Sequence, residues 1–278
     1  MALKIAMFII AVYTHVLMAI PLESESPVKA LDDRIVGGVD AEHGTVPHMV
    51  ALVFGSTVIS LTCGGSIVSR RHILTAAHCL VPFVTWQGEL LDTLAAVVGT
   101  NKWNSRSNLV RFSKHINHPH YDSTFIKNDV GVLILREDLQ ITSAVNIIPL
   151  NFEWVDGGVD SYATGWGTIW LWGPIPDRLQ TLNVRTISAQ QCIDEVNDAS
   201  HEMGWSPPVH PTVEICTFHS ANHGMCHGDS GSALVDKQSG HQIGIVSWGF
   251  PCARGAPDVF VRISGIKHFL LPILQGHI

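Results

Sequence analysis

Short apolar runs separated by turn residues dominate the chain from Ile35 onward. The clearest runs are four to seven residues long and rich in β-branched residues, which indicates strands rather than helices. Because no long helical pattern separates them, they predict an all-β barrel or sandwich. These runs are Val50–Phe54, Ser66–Ser69, Ala95–Val98, Asp129–Leu135, Gln242–Ser247 and Val259–Arg262.

One helix is predicted near the end of the chain. Ser264 is the expected N-cap, and Pro272 is expected to end or kink the helix near Leu271. Apolar residues recur there with the spacing of a single helix face. They are Ile266, Phe269, Leu270 and Ile273.

The first 34 residues are interpreted as segments that are removed from the mature protein. Lys4 precedes an apolar stretch from Ile5 to Ile20, as in a secretory signal. A membrane anchor is the alternative, but the stretch is short for a span that needs about 20 apolar residues. We expect a signal peptide over residues 1–22, whose end is not readable, a propeptide over 23–34 and a folded domain over 35–278. A secreted protein is expected to have its cysteines in disulfides.

The composition excludes several classes of function. The 278 residues are 46% hydrophobic and 15% charged, which is typical of a globular protein. The formal net charge of −7 gives neither the basic footprint of a nucleic-acid-binding protein nor a polybasic membrane patch. We therefore expect no nucleic-acid partner and no membrane partner, and we expect a monomer.

Three motifs far apart in the chain carry candidate chemistry. They contain His78 in Thr75–Cys79, Asp129 after Asn128, and Ser230 in Cys226–Gly231. Taken singly, each has an ordinary structural explanation: a core histidine, an acidic residue at a strand edge, and a glycine turn. Together they suggest nucleophilic catalysis, because a serine hydroxyl needs a base and that base needs an acid to hold its tautomer.

In this chain order and in these contexts, the three residues resemble the chymotrypsin-like (trypsin-type) serine peptidases. The resemblance extends from Ile35 to the C-terminus. It implies two six-stranded antiparallel β-barrels with the active site between them and a C-terminal helix. It also implies a secreted serine endopeptidase made as a zymogen. Further matching motifs are Arg34-Ile-Val-Gly-Gly38, Gly165-Trp-Gly167 and Ser247-Trp-Gly249.

The resemblance implies a role for each matched residue. Ser230 is the nucleophile, His78 is the general base and then the general acid, and Asp129 orients His78. The backbone N–H groups of Gly228 and Ser230 form the oxyanion hole.

The resemblance also implies how such a zymogen is activated. A trypsin-like protease cleaves the bond between Arg34 and Ile35. The new α-amino group of Ile35 then folds inward and pairs with Asp229, which orders the oxyanion hole and the substrate pocket.

The position of the substrate pocket follows from the same resemblance. Its floor is Gly224, and Ser247, Trp248 and Gly249 form its wall. Because position 224 lacks an aspartate, we expect a chymotrypsin-like preference for Phe, Tyr, Trp, Leu or Met at P1, the residue whose carbonyl is attacked. Asp258 falls near the pocket base. It either turns away to a backbone N–H group or water, or acts as a displaced anion that admits Lys or Arg.

The six cysteines leave their pairing open when the sequence is considered alone. The resemblance implies the pairs Cys63–Cys79, Cys192–Cys216 and Cys226–Cys252.

We expect no cofactor and no metal. Residues 99–118 contain no Asp or Glu for a calcium loop. The three histidines at 115, 118 and 120 are interpreted as a solvated segment rather than a zinc site. The expected partners are protein or peptide substrates, an activating trypsin-like protease and protein protease inhibitors.

Two alternative functions remain open. One is a catalytically weak homologue that acts as a binding module, against which the intact set of three residues argues. The other is a regulatory cascade protease. The short segment before the expected cleavage point favours a simple digestive or venom-type enzyme, and the motifs look most like those of arthropod chymotrypsin-like enzymes.

Overall fold

The computed structural model describes residues 35–276, which form fourteen strands and two α-helices. The predicted signal peptide, the predicted propeptide and Arg34 lie outside the described residues. Neither described helix is long and apolar enough to cross a membrane. The helices are α1 (Ala189–Met203) and α2 (Lys267–Leu274), and the strands are β1 (Val39–Asp40), β2 (Met49–Phe54), β3 (Ser60–Ile67), β4 (His72–Thr75), β5 (Leu94–Val98), β6 (Leu109–Val110), β7 (Phe112–Asn117), β8 (Gly131–Leu135), β9 (Asp160–Gly165), β10 (Gln180–Thr186), β11 (Glu214–Phe218), β12 (Ala233–Asp236), β13 (Gln242–Gly249) and β14 (Asp258–Arg262).

The first seven-stranded sheet contains β2 to β8 in the order β6-β5-β2-β3-β4-β8-β7. All of its pairs are antiparallel. Only Arg111 separates β6 from β7, so one bent segment pairs with β5 at one end and with β8 at the other. When β6 and β7 are counted as one strand, this segment closes the sheet into a six-stranded barrel.

The second sheet is a closed ring. Its order is β1-β10-β11-β14-β13-β12-β9, and an additional pairing between β10 and β9 closes the circle. The two-residue strand β1 is attached to β10 outside this ring. The all-β class with two antiparallel barrels and a C-terminal helix is therefore confirmed. The first sheet has seven strands because its bent segment is divided into β6 and β7, and the second has seven because β1 is added outside the ring.

Several strands are apolar throughout because both of their faces are buried. In β2, Val50 and Leu52 pack inside the first barrel, whereas Ala51 and Val53 join a cluster that also contains Val235 of the second barrel. Side chains alternate between faces along a strand, so one strand contributes to two cores. The shared cluster holds the two barrels together and fixes the loops that lie between them.

Most of the predicted strands lie close to observed ones, but the prediction for Ser66–Ser69 was wrong. That stretch covers only the end of β3, which starts at Ser60. A sequence of Thr, Cys and two glycines in β3 does not look apolar, and this concealed most of the strand.

The C-terminal helix is present, but its predicted ends were wrong. A single 3-10 turn at Ser264–Ile266 precedes α2, and Ile266 is the N-cap, without a side-chain cap. Pro272 lies inside the helix, which continues to Leu274. Leu270 and Ile273 are buried in the core shared by the barrels, and this packing compensates for the hydrogen bond that proline cannot make.

Candidate active site

Two of the candidate residues come from neighbouring strands of the first barrel. His78 lies in a 3-10 turn just after β4, and Asp129 lies just before β8. Since β4 pairs with β8 through Thr75 and Gly131, the two residues emerge at the same end of this pair. The fold therefore places the imidazole and the carboxylate side by side.

Asp129 is completely buried and is held by hydrogen bonds on both oxygens. Oδ1 accepts a hydrogen bond from the backbone N–H of His78 at 2.9 Å. Oδ2 lies 2.7 Å from His78 Nδ1 and accepts a hydrogen bond from Ser247 Oγ at 2.6 Å. A carboxylate can only accept, so Nδ1 carries the proton and Nε2 of the neutral ring is left to accept one.

The pKa of His78 reflects two opposing effects. Burial lowers the pKa, but the hydrogen bond and the negative charge of Asp129 together outweigh burial, so the pKa is raised above 6.5. Asp129 thus stabilises the charged imidazolium. A general base takes this charged form once it has accepted a proton.

Ser230 comes from the second barrel, on the tight turn that leads into β12. Its carbonyl accepts a hydrogen bond from Gly64 N of the first barrel at 2.8 Å. Gly231 fits this junction because its φ is +84° and a Cβ there would lie 2.2 Å from Thr75 Oγ1. Within residues 35–276 no hydrogen bond joins Ser230 Oγ to His78, and such bonds often form fully only with substrate bound.

The three disulfides link Cys63–Cys79, Cys192–Cys216 and Cys226–Cys252. These are the pairs implied by the resemblance. The first bridge joins the residues beside Gly64 and His78, so it couples the Ser230 contact to the turn that carries His78. The third braces the Ser230 turn against the segment that follows β13.

A set of potential metal ligands in the described part of the chain surrounds this first bridge. Atoms of His78, Cys63 and Cys79 lie within 4.8 Å of one another. Both sulfurs are bonded to each other, so they offer no thiolate, and the arrangement does not suit a metal ion.

The predicted oxyanion donors are backbone N–H groups of the turn that carries Ser230. Gly228 has a φ of +101°, which turns its backbone in a way that favours glycine. Across the described residues, the N–H groups of Gly228 and Ser230 donate to no protein acceptor. Both are therefore free to stabilise a negative oxygen at the site.

Asp229, next to Ser230 in the chain, is completely buried. It accepts backbone hydrogen bonds from Gly167 at 2.7 Å and Cys226 at 3.0 Å. Burial raises its pKa to about 6, although the two hydrogen bonds act in the opposite direction. No cation of the described residues pairs with it.

Ile35 lies in the same region as Asp229. It is completely buried and packs in one cluster with Met225 and Ala163. Val36 O accepts a hydrogen bond from Gly224 N at 3.1 Å, so the start of the described chain runs beside the predicted pocket floor.

A cavity of about 150 Å³ opens beside Ser230. Of the residues predicted for the pocket, Ser247, Trp248, Gly249 and Asp258 line this cavity, whereas Gly224 is not among its lining residues. The sequence had not placed the other lining residues in the pocket. They are Met225, Cys226, His227, Val246, Phe250 and Pro251. His227 also lies 6.0 Å from the exposed ring of Trp172, and its position inside the Cys226–Gly231 motif could have identified it.

Asp258 makes a hydrogen bond to a backbone group and also lines the cavity. Its Oδ2 accepts a hydrogen bond from Met225 N at 3.0 Å, which is the predicted turn to a backbone group. Nevertheless the residue lines the cavity, and Oδ1 lies 3.5 Å from where a Cβ of Gly249 would be. A Cβ on Gly224 would lie 2.8 Å from Oδ2, so the carboxylate occupies the space above the predicted floor.

The environment of Asp258 favours its neutral form. Burial raises its pKa to about 7, the hydrogen bond from Met225 opposes this, and the charge of Asp229 adds to it. The lining of the cavity therefore includes a carboxyl group with a pKa of about 7.

The family model and the relatives that match this chain each cover most of its length. The family model described as Trypsin matches residues 35–270. The chain is 36% identical to Chymotrypsin-2 of Vespa crabro over 230 residues, which are 82% of this chain and 94% of that protein. It is 30% identical to Trypsin alpha-4 of Lucilia cuprina over 270 residues, 97% of each chain. It is also 33% identical to Hypodermin-B of Hypoderma lineatum, with 86% of this chain and 87% of that protein covered.

Proposed function

The chain belongs to the trypsin family of serine proteases, and from that premise we propose that it is a secreted serine endopeptidase made as a zymogen. We further propose that it prefers large apolar residues at P1 and also accepts Lys and Arg. In this proposal residues 1–22 are a signal peptide, 23–34 a propeptide and 35–278 the peptidase domain.

The arrangement of His78 and Asp129 beside Ser230 carries the proposal. Ser230 Oγ attacks the scissile carbonyl carbon, and its proton passes to His78 Nε2. His78 then gives that proton to the leaving amine as the C–N bond breaks, which leaves an acyl group on Ser230. Water then attacks the acyl carbon of this ester while His78 Nε2 accepts its proton. His78 passes that proton to Ser230 Oγ as the ester C–O bond breaks, which releases the carboxylic acid product. Asp129 keeps the imidazole in the required tautomer throughout.

The free N–H groups of Gly228 and Ser230 support an oxyanion hole. A negative charge develops on the carbonyl oxygen as the tetrahedral intermediate forms. Donors that are already oriented toward it stabilise the transition state, at about 3 kcal/mol for one donor.

The buried Asp229 supports activation by cleavage. A buried carboxylate without a counter-ion is costly, and a new α-amino group at Ile35 would be a cation in the same buried region. Cleavage of the Arg34–Ile35 bond creates that group. The pairing then holds the turn that carries Gly228 and Ser230 in its active conformation.

The cavity supports the proposed P1 preference. Its lining is mostly apolar, and Gly249 leaves its wall open to a large ring. Burying an aromatic or aliphatic side chain there contributes about 1.5–3 kcal/mol without a charged partner. When Asp258 is ionised, its carboxylate at the base supplies a partner for Lys or Arg.

The proposal is tested with the trypsin-activated protein and peptide substrates. Ser230→Ala should lower kcat by at least about 10⁴-fold while the protein still folds and is secreted. Ser107→Ala, at an exposed serine, is the matched control and should keep full activity. An organophosphate should label the wild type and not the Ser230 variant. Substantial turnover by Ser230→Ala would contradict the assignment.

A further inference from the structure

A buried ion pair links the two barrels beside the candidate catalytic residues. Lys127 lies two residues before Asp129 on the loop between β7 and β8, and Glu214 is the first residue of β11. Lys127 Nζ lies 2.7 Å from Glu214 Oε1, and the two side chains are only 10% and 3% exposed. Charges removed from water in this way need well-placed partners, which distinguishes this pair from a surface ion pair.

Glu214 uses both of its carboxylate oxygens. Besides binding Lys127, Oε1 accepts a hydrogen bond from Trp248 Nε1 at 2.8 Å, and Oε2 accepts one from the backbone N–H of His210 at 2.6 Å. Lys127 Nζ also lies 4.9 Å from the centroid of the Trp248 ring, within reach of a cation–π interaction. The indole is thus held at its N–H edge by Glu214 and over its face by Lys127.

Trp248 lies where the edge of its strand is open. β13 pairs with β14 through Trp248, but its pairing with β12 ends at Ile245. In the described part of the chain, the edge from Ser247 to Gly249 therefore has no strand partner on that side. These residues line the cavity with Ser230, and an open edge can bind an extended peptide by backbone pairing.

The loop that carries Lys127 is itself fixed. The backbones of Asp122 and Lys127 exchange two hydrogen bonds of 3.0 and 3.1 Å, and Asn128 Nδ2 donates to His120 O at 2.9 Å. The lysine ammonium is therefore presented from a closed loop that continues directly into Asp129.

We propose that Lys127 and Glu214 are positioning residues for Trp248, and that they set the register of the strand edge that binds substrate residues on the acyl side beyond P1. This inference rests on the proposed peptidase function. Loss of the pair weakens the binding of extended peptides, whereas the chemistry at a substrate with a single acyl-side residue does not depend on it.

The test compares two chromogenic amides with the same P1 residue, one carrying a blocked single residue and the other a blocked tetrapeptide. The measured quantity is the ratio of kcat/KM for the tetrapeptide to kcat/KM for the short substrate. Lys127→Met should lower this ratio by roughly tenfold, mainly through KM for the tetrapeptide. Lys114→Met, at an exposed lysine on β7, is the control and should leave the ratio unchanged.

A double-mutant cycle with Trp248→Phe, which removes the indole N–H donor, gives a second readout. If Lys127 acts through Trp248, the double variant has a ratio no lower than that of the more damaging single variant. If the losses in the ratio caused by the two single substitutions instead multiply in the double variant, the proposal is wrong. If Lys127→Met does not fold, Glu214→Gln, which keeps the shape and one acceptor oxygen, provides the same comparison.

The results distinguish a failure of this inference from a failure of the proposed function. An unchanged ratio in Lys127→Met, or an equal loss on both substrates, overturns the positioning role. Failure of the activated wild type to cleave the short substrate contradicts the peptidase assignment instead.

Discussion

We expect the P1 selectivity of the protein to change with pH, because the base of the cavity contains a carboxyl group that titrates near neutrality. Asp258 is buried with one hydrogen bond, from Met225 N, and the charge of a second carboxylate, Asp229, acts on it. Both burial and that neighbour raise its pKa, to about 7. The group is therefore neutral below this pH and negatively charged above it.

The size of the effect follows from that pKa. About one tenth of Asp258 is ionised at pH 6 and about nine tenths at pH 8, if the pKa is about 7. If only the ionised form attracts a basic side chain, kcat/KM for Arg relative to Phe should rise roughly tenfold over this range. A buried charge at the base also disfavours a Phe ring, so both effects move the ratio in the same direction.

The assay uses two peptide substrates that differ only in having Arg or Phe at P1. Both depend equally on the protonation of His78, so the ratio of their kcat/KM values removes that titration and reports the free enzyme. Asp258→Asn keeps the size of the side chain and removes the charge. In this variant the ratio should be low and flat from pH 5.5 to 8.5.

Two results would refute the reasoning. A ratio that does not change with pH in the wild type would show that Asp258 does not titrate in the free pocket. A ratio that still rises with pH in Asp258→Asn would place the responsible group elsewhere. A strong preference for Arg over Phe at pH 6 would also contradict the apolar assignment.

Three further predictions concern the activation, the base and the junction of the barrels. Arg34→Gln should give a secreted precursor that trypsin does not activate, and full activity with the propeptide attached would contradict the proposed switch. Since the pKa of His78 is raised, kcat/KM for a Phe substrate should fall as pH drops through a value above 6.5, and a flat profile between pH 5 and 8 would exclude His78 as the base. Gly231→Ala should destabilise the protein by about 2 kcal/mol or more in denaturant unfolding, because its Cβ would collide with Thr75 Oγ1 and Gly64 O at a positive φ. Gly240→Ala, with the same sign of φ and nothing within 4 Å, should cost less.

Strands buried on both faces were the easiest elements to predict. Continuous apolar runs such as those of β2 and β5 arise because one face packs inside a barrel and the other between the barrels. Strand β3 was harder to predict because close packing requires glycine, which has no side chain, at two of its positions. A Cβ on Gly64 would lie 2.0 Å from Ser232 Oγ, and one on Gly65 would lie 3.1 Å from Ile73. Glycines that permit such contacts look like turn residues in a sequence.

The helix α1 was not predicted, although its signals are present. Ser188 caps its N-terminus by accepting a hydrogen bond from Gln191 N, and Gly204 ends it at a φ of +106°. Cys192, Val196 and Ala199 form its buried face. These apolar positions are few and small, so the helical spacing is weak in a chain otherwise dominated by strands.

The residues of the candidate site also differ in how readily the sequence identifies them. The proposed catalytic residues stand in motifs with recognisable neighbours, so their roles could be proposed from the resemblance. Lys127 and Glu214 are 87 residues apart, and neither stands in a motif. Any surface lysine or glutamate looks the same in a sequence, and only the folded chain brings these two together.

Every residue that lines the cavity lies between Met225 and Asp258, whereas His78 and Asp129 belong to the first barrel. Under the proposed function, substrate choice and proton transfer are therefore encoded in different halves of the chain. Mutations in the later half can alter which bonds are cut while the earlier half preserves the acid–base chemistry. Under that function, one scaffold can acquire a new cleavage preference without a change in the residues that transfer the proton.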